Sequence, residues 1–291
     1  MSLIGTMGSG VSALRTFMKG LEVIGNNIAN VNTTGFKASN AQYADSFSNV
    51  LRLSSSNGTT TTTSVAVGTG VLLAGVTTNF TQGSLQSTGK STDLGISGNG
   101  YFRVKNPNSS EEYVTRAGDF RWDEQGYLVT TEGYRVQGLV PSTTTTPDTL
   151  GDIKLTTPTT AAKAITSVAI DRFGGVVESY ADGSSATTSQ LLLQDFKDPS
   201  ALVKAGGNMY TGMEAAGPTN GAPNAALLTD GTNNPGKSGL GTIQAGTLEL
   251  SNVDLTEQFS DLITTQRSFQ AGSRLLTVSD TILEDIVNLK R

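Results

Sequence analysis

Cysteine and histidine are both missing from this chain of 291 residues. Without them no disulfide, thiolate nucleophile or Cys/His zinc site can form, and no Ser-His-Asp triad can be assembled. No side chain titrates near neutral pH unless its surroundings shift it strongly. Charge is scarce as well: 20 basic and 25 acidic residues leave a net −5, and 15% of the chain is charged. The basic residues form no cluster, so nothing offers a phosphate backbone a docking surface, and no nucleic-acid partner is expected. Long apolar runs are absent. Stretches such as Val71 to Ala74 fall far short of the ~20 residues a membrane helix needs, and no membrane insertion is expected. The N-terminus does not read as a cleaved secretory signal, because its apolar residues are spaced and its first basic residue is Arg15. Proline is confined: all eight lie between Pro107 and Pro235.

What is abundant is small and polar, with 34 Gly, 41 Thr and 29 Ser. Leu, Ile, Val and Phe still make up roughly a quarter of the chain, above the ~20% of disordered sequences, so a modest core can form. The proline-free ends are compatible with helices and the middle with turns. Ile4, Met7, Val11, Leu14, Met18, Leu21 and Ile28 step by three and four, a seam of period near 3.5 that suits a coiled coil. Five glycines interrupt that segment, each costing about 1 kcal/mol relative to Ala in a helix, so the helix needs partners to be stable. At the other end Asp254 and Glu257 suit a helix N-terminus. Leu255, Phe259, Leu262, Phe269, Leu276 and Leu283 then form one stripe, with Leu275, Val278, Ile282, Ile286 and Leu289 in a second beside it. Two stripes imply more than one partner surface. Lys290 and Arg291 suit the C-terminal dipole. Between the ends, short apolar segments alternate with turn signals at Gly98 to Gly100, Asp123 to Gly126 and Arg172 to Gly175, which predicts β-structure. The Ser/Thr-rich stretches 54–63 and 143–146 read as loops, where sugar attachment is undecided.

One stretch, Gly231-Thr-Asn-Asn-Pro-Gly-Lys237-Ser238, matches the P-loop pattern. It lacks the following helix that would cradle a phosphate, so a surface loop is expected. The carboxylate pairs Asp119/Asp123 and Glu284/Asp285 are candidates for acid/base chemistry by proximity alone, and solvated charge is the expected role. No catalytic, metal or cofactor site is predicted. The segment Gly25-Asn-Asn-Ile-Ala-Asn-Val-Asn-Thr-Thr-Gly-Phe-Lys37 is more informative. A helix cap needs one Asn, and here Asn26, Asn27, Asn30 and Asn32 cluster. Uncharged amides suit an interface that pairs with backbone where charge could not be desolvated.

That segment resembles the N-terminal signature of the flagellar rod and hook family of bacterial axial proteins. Further blocks are similar to the same family: Gln82 to Gly89, Thr92 to Phe102, Tyr113 to Phe120, Gly126-Tyr-Leu128, Ser251 to Glu257, Thr265 to Gln270, and the ending Asn288-Leu-Lys-Arg291. Within the family, the blocks at 82–102 and 190–210 and that ending are more similar to hook subunits. The short interval 139–167, where hook subunits carry a large outer domain, points instead to a short hook form or a rod relative.

The expected fold is α+β, with a discontinuous coiled-coil domain formed by both chain ends and a mainly-β centre. The boundaries read as 1–35 for the N-terminal helix of an assembly core, 36–75 for an extended linker, 76–250 for the β-rich domain and 251–291 for the C-terminal helix. The resemblance implies a structural subunit that polymerises into the hook, a hollow tube passing torque from rod to filament. The alternative it implies is a distal rod subunit. It also implies as partners further copies of the chain, other axial proteins of the rod, hook cap and hook–filament junction, and the type III export apparatus. The implied location is the hook and basal body, outside the cell after export without a cleaved signal. The expected subunit interface comprises Ile4, Met7, Val11, Leu14, Leu21, Ile28, Asn26, Asn27, Asn30, Leu262, Phe269, Leu276 and Leu283. The marginal end helices are expected to order on assembly.

Overall fold

The computed structural model describes residues 3–52, 55–56, 61–62, 64–140, 149–156, 164–219 and 233–289. The chain divides into two compact units. One takes residues from Met1–Asn30, Ala38–Asn79 and Val253–Arg291, the other from Val31–Lys37 and Phe80–Asn252. The class is α+β, with helices at both ends and strands between.

In the first unit, helix α1 (Leu3–Ala29) lies antiparallel to the long C-terminal helix α3 (Leu255–Leu289). Gly10 meets Leu276, Gly272 meets Leu14, and Asn27 bonds to Gln258. The glycines that weaken an isolated helix are the points where the two helices approach: an added Cβ would lie 3.2 Å from Leu276 at Gly10 and 3.3 Å from Leu14 at Gly272. Asp254 starts α3 as expected, its carboxylate accepting from the Thr256 amide at 2.8 Å. Lys290 and Arg291 fall outside the described residues. The interval 36–75 carries an antiparallel ladder. Ser39–Asp45 pairs with Val71–Thr78, and Ser48–Arg52 with Val65–Gly68. Farther out, Ser55–Ser56 pairs with Thr61–Thr62, so part of the Ser/Thr stretch read as a loop is paired backbone. The stretch 143–146 lies outside the described residues.

The hairpin packs on a second face of α1, made of small residues four apart: Ser12, Thr16 and Gly20. The Thr16 hydroxyl donates to the Val71 carbonyl at 3.2 Å. A Cβ at Gly20 would sit 2.1 Å from the Tyr43 hydroxyl.

The second unit is built on an antiparallel sheet. Its described order runs Ile165–Ile170, Gly175–Tyr180, Ser185–Leu191, Arg135–Val140, Tyr101–Lys105, Glu112–Thr115, Met209–Thr211, Val203–Gly206. Successive residues of its central strand serve opposite faces. Phe102 and Val104 join one core with Leu94, Leu128, Ile153 and Leu191, while Tyr101 joins another with Val114, Phe196 and Tyr210. The turns predicted at 123–126 and 172–175 close hairpins, each with a left-handed glycine at Gly126 and Gly174. Around Gly98 to Gly100 the chain also turns, but Leu94–Ser97 pairs with Thr242–Ala245 and not with Tyr101–Lys105. The P-loop-like stretch, described from Asn233, forms turns that lead into the strand Thr242–Ala245, without a helix. Asp119 and Asp123 serve local structure, accepting from the Thr131 hydroxyl and the Glu124 amide.

Candidate assembly surfaces

The stripe read on α1 divides in two. Met7, Leu14, Leu21 and Ile28, seven residues apart, are half-buried, on the face where Leu14 meets α3. Val11 and Met18, which alternate with them, are exposed, Met18 by 53%. Gly25 continues this second set, and an added Cβ there meets nothing within 4 Å. The split follows from geometry: a repeat of 3.5 residues on a helix of 3.6 spreads over more than one line of contact. The side chain of Ile4 lies outside the described residues.

Helix α3 divides in the same way. Leu262, Phe269, Leu276 and Leu283 are half-buried, with Leu276 against α1, and Gly272 and Ser279 between them are buried. The second stripe, Leu275, Val278, Ile282, Ile286 and Leu289, is exposed, Leu275 by 62% and Leu289 by 86%. The residues expected at a subunit interface therefore include those that join α1 to α3 within one chain. The outward apolar surface is carried by their neighbours.

The asparagines also part company. Asn27 is buried and fully engaged inside the first unit. Its amide nitrogen donates to the Ser39 carbonyl at 2.8 Å and to Gln258 Oε1 at 2.9 Å, and its oxygen accepts from the Ser39 amide at 2.9 Å. It pairs with backbone as the amide cluster suggests, and joins three elements of one chain. Asn30 closes the end of α1 by bonding back to the Asn26 carbonyl at 2.9 Å, while Asn26 itself is exposed.

Directly after this helix the signature continues into the second unit, where sequence reading missed a buried ionic clamp. The Lys37 ammonium and the Arg116 guanidinium hold the two oxygens of Glu249, and all three side chains are buried. Lys37 also donates to the Thr81 carbonyl at 2.8 Å, and Glu249 accepts from the Gly83 amide at 2.9 Å. Burial pushes the Lys37 amine below its ordinary pKa, against the pull of Glu249. Arg116 stacks 5.0 Å from the Tyr101 ring centre, and burial raises that phenol to about 12. The segment is held along its length. The Gly35 amide donates to the Glu249 carbonyl at 2.8 Å, and Asn208 donates to the Thr34 carbonyl at 2.7 Å. Lys204 lies 4.9 Å from the Phe36 ring. Gly35 has φ +67°, and a Cβ there would fall 2.5 Å from the Ala117 amide, so glycine is required twice over.

A signal for the clamp was present. Lys37 is the only charged residue between Glu22 and Asp45, and Glu249 the only one between Lys237 and Asp254. Lone charges in neutral surroundings are the ones that need an internal partner. The clamp's groups are saturated by one another and offer no free base or nucleophile. Among the described residues no group of carboxylates is placed to hold a metal ion, and no helix is long and apolar enough to cross a membrane.

Comparison with known proteins covers the same segments. Three family models match: "Flagella basal body rod protein" over residues 7–37, "Flagellar hook protein FlgE/F/G D1 domain" over 95–178, and "Flagellar basal body rod FlgEFG protein C-terminal" over 244–289. The chain is 37% identical to the flagellar basal-body rod protein FlgG of Bacillus subtilis (strain 168), covering 99% of this chain and 100% of that protein. It is 33% identical to FlgG of Caulobacter vibrioides, covering 96% and 100%. To the flagellar hook protein FlgE of Treponema pallidum it is 26% identical, in an alignment 472 residues long that covers 97% and 99%.

Proposed function

Because this chain belongs to the flagellar rod and hook family, structural components of the basal body and hook and not enzymes, we propose that it is a distal rod subunit, polymerising with copies of itself. One observation carries the choice of rod. Relatives bearing the rod name match this chain end to end at its own length, whereas the hook relative requires a far longer alignment. The short interval 139–167 favours the same reading. The hook is the second reading, favoured by the blocks at 82–102 and 190–210 and by the Asn-Leu-Lys-Arg ending. Antibody labelling of purified basal bodies separates the two: label on the rod, below the hook, is expected, and label along the hook would reverse the assignment.

In this reading segments 1–35 and 251–291 form the assembly core, 36–75 connects, and 76–250 is the central β-rich domain. Coiled-coil pairing between copies involves the expected interface set, extended by the exposed neighbours of each stripe. The neighbouring partners are other axial proteins, and the chain reaches them through the flagellar export apparatus. Leu14→Asp or Leu276→Asp places a charge in the contact between the end helices. Each is expected to abolish sedimentable polymer while the thermal transition of the second unit, followed by the fluorescence of the single tryptophan, Trp122, stays in place. Polymer formation by either variant would remove these helices from the assembly core. The glycine-rich end helices are also expected to be partly unfolded in dilute monomer and to gain helicity on assembly. Circular dichroism at 222 nm that is unchanged between monomer and polymer would overturn this.

A further inference from the structure

The open face of α1 borders a groove of about 550 Å³ between that helix and the strand Val71–Thr78. Its walls carry Val11, Met18 and Leu72, all exposed apolar side chains. Its rim carries Arg15 and Lys19, and neither forms an ion pair among the described residues. Gly8 also lines it, in a helix that glycine weakens, and an added Cβ there meets nothing within 4 Å. The other contacted helical glycines, Gly10, Gly20 and Gly272, each lie under a side chain of the same unit. Gly8 has no such reason within the chain.

The last third of α3 has the complementary character. Leu275, Val278, Ile282, Ile286 and Leu289 are exposed along one face. Between Leu275 and Leu289 the charged residues are Asp280, Glu284 and Asp285, with no basic residue among them. An acidic helix with an apolar face suits an apolar groove with a basic rim, both by burial and by charge.

We infer that the α1 groove of one copy receives the exposed apolar stripe of α3 from a second copy, with Arg15 and Lys19 meeting the acidic residues at 284 and 285. This rests on reading the chain as a polymer subunit, and it names the surfaces that join. Groove and stripe are different patches, so each copy offers both, and the contact is head-to-tail. Such contacts propagate into open helical assemblies unless the rotation closes a ring.

The full-length chain supplies a clean test because it has no native thiol. Met18→Cys and Ile282→Cys are introduced together, and the assembled protein is oxidised. Within one chain the antiparallel register, with Gly10 at Leu276 and Gly20 at Thr265, sets these positions about 22 Å apart along the helices. No internal disulfide can span that distance, so the expected ladder of covalent multimers reports contact between copies. In a second arm, Arg15→Glu with Lys19→Glu raises the concentration needed for assembly by about tenfold. Adding Glu284→Lys and Asp285→Lys then returns it to within about threefold of wild type. If the wild type assembles but neither ladder nor rescue appears, the docking is wrong and the polymer reading survives. If the wild type does not assemble, the polymer reading falls and takes the docking with it.

Discussion

Glu249 holds two buried cations, and removing it leaves both without an anion. Breaking a buried ion pair from one side costs about 3–5 kcal/mol, because a desolvated charge is stranded. Glu249→Ala is therefore expected to lower stability by about that amount in denaturant unfolding followed at Trp122. Lys37→Met is expected to cost less, since Glu249 keeps Arg116 and the Gly83 amide. Equal losses from the two substitutions would mean that the triad does not act as a hub. Little of this was legible in the sequence. Each charge stood out as solitary, but the partners are 212 and 133 residues apart in the chain, and no local pattern links them. Asn27 shows the opposite case. Its type announced backbone pairing, and only the fold could say that the backbone belonged to Ser39 of the same chain.

Among elements, the end helices were legible as helices, and Asp254 as the start of the second. Periodicity found their apolar stripes but could not assign partners to them, because a seam of period 3.5 serves two faces at once on a helix of 3.6. Propensity also misjudged the glycines by treating them alike. At Gly20 the close approach of Tyr43 makes the missing side chain a requirement, whereas at Gly25 there is open space. Gly25→Ala is expected to stabilise the monomer's helix by about 1 kcal/mol. Gly20→Ala is expected to destabilise the first unit by about 1–3 kcal/mol through overpacking. Thermal unfolding followed at 222 nm distinguishes them, and shifts of the same sign in both would refute the close packing of hairpin on helix.

For the whole molecule, the pattern of strands and turns made the β-rich centre legible. The membership of residues 31–37 in that centre was not, because in sequence they read as the tail of a helix. A fragment spanning residues 31–252 is expected to keep a cooperative transition at Trp122. One beginning at residue 38 is expected to lose it, since Gly35, Phe36 and Lys37 leave with the deleted segment. A sharp transition in the shorter fragment would show the strap to be dispensable. The strap also carries a consequence for the order of events in folding. A contact between positions 37 and 249 closes a loop of most of the chain, and loops of that length make formation of the native state slow compared with local pairing. Hairpins such as Ile165–Ile170 with Gly175–Tyr180 can form early, but no growing or partly delivered chain can lock its centre before Glu249 is present. The ionic clamp thus works as a timer, holding the second unit unfinished until nearly the whole subunit has arrived.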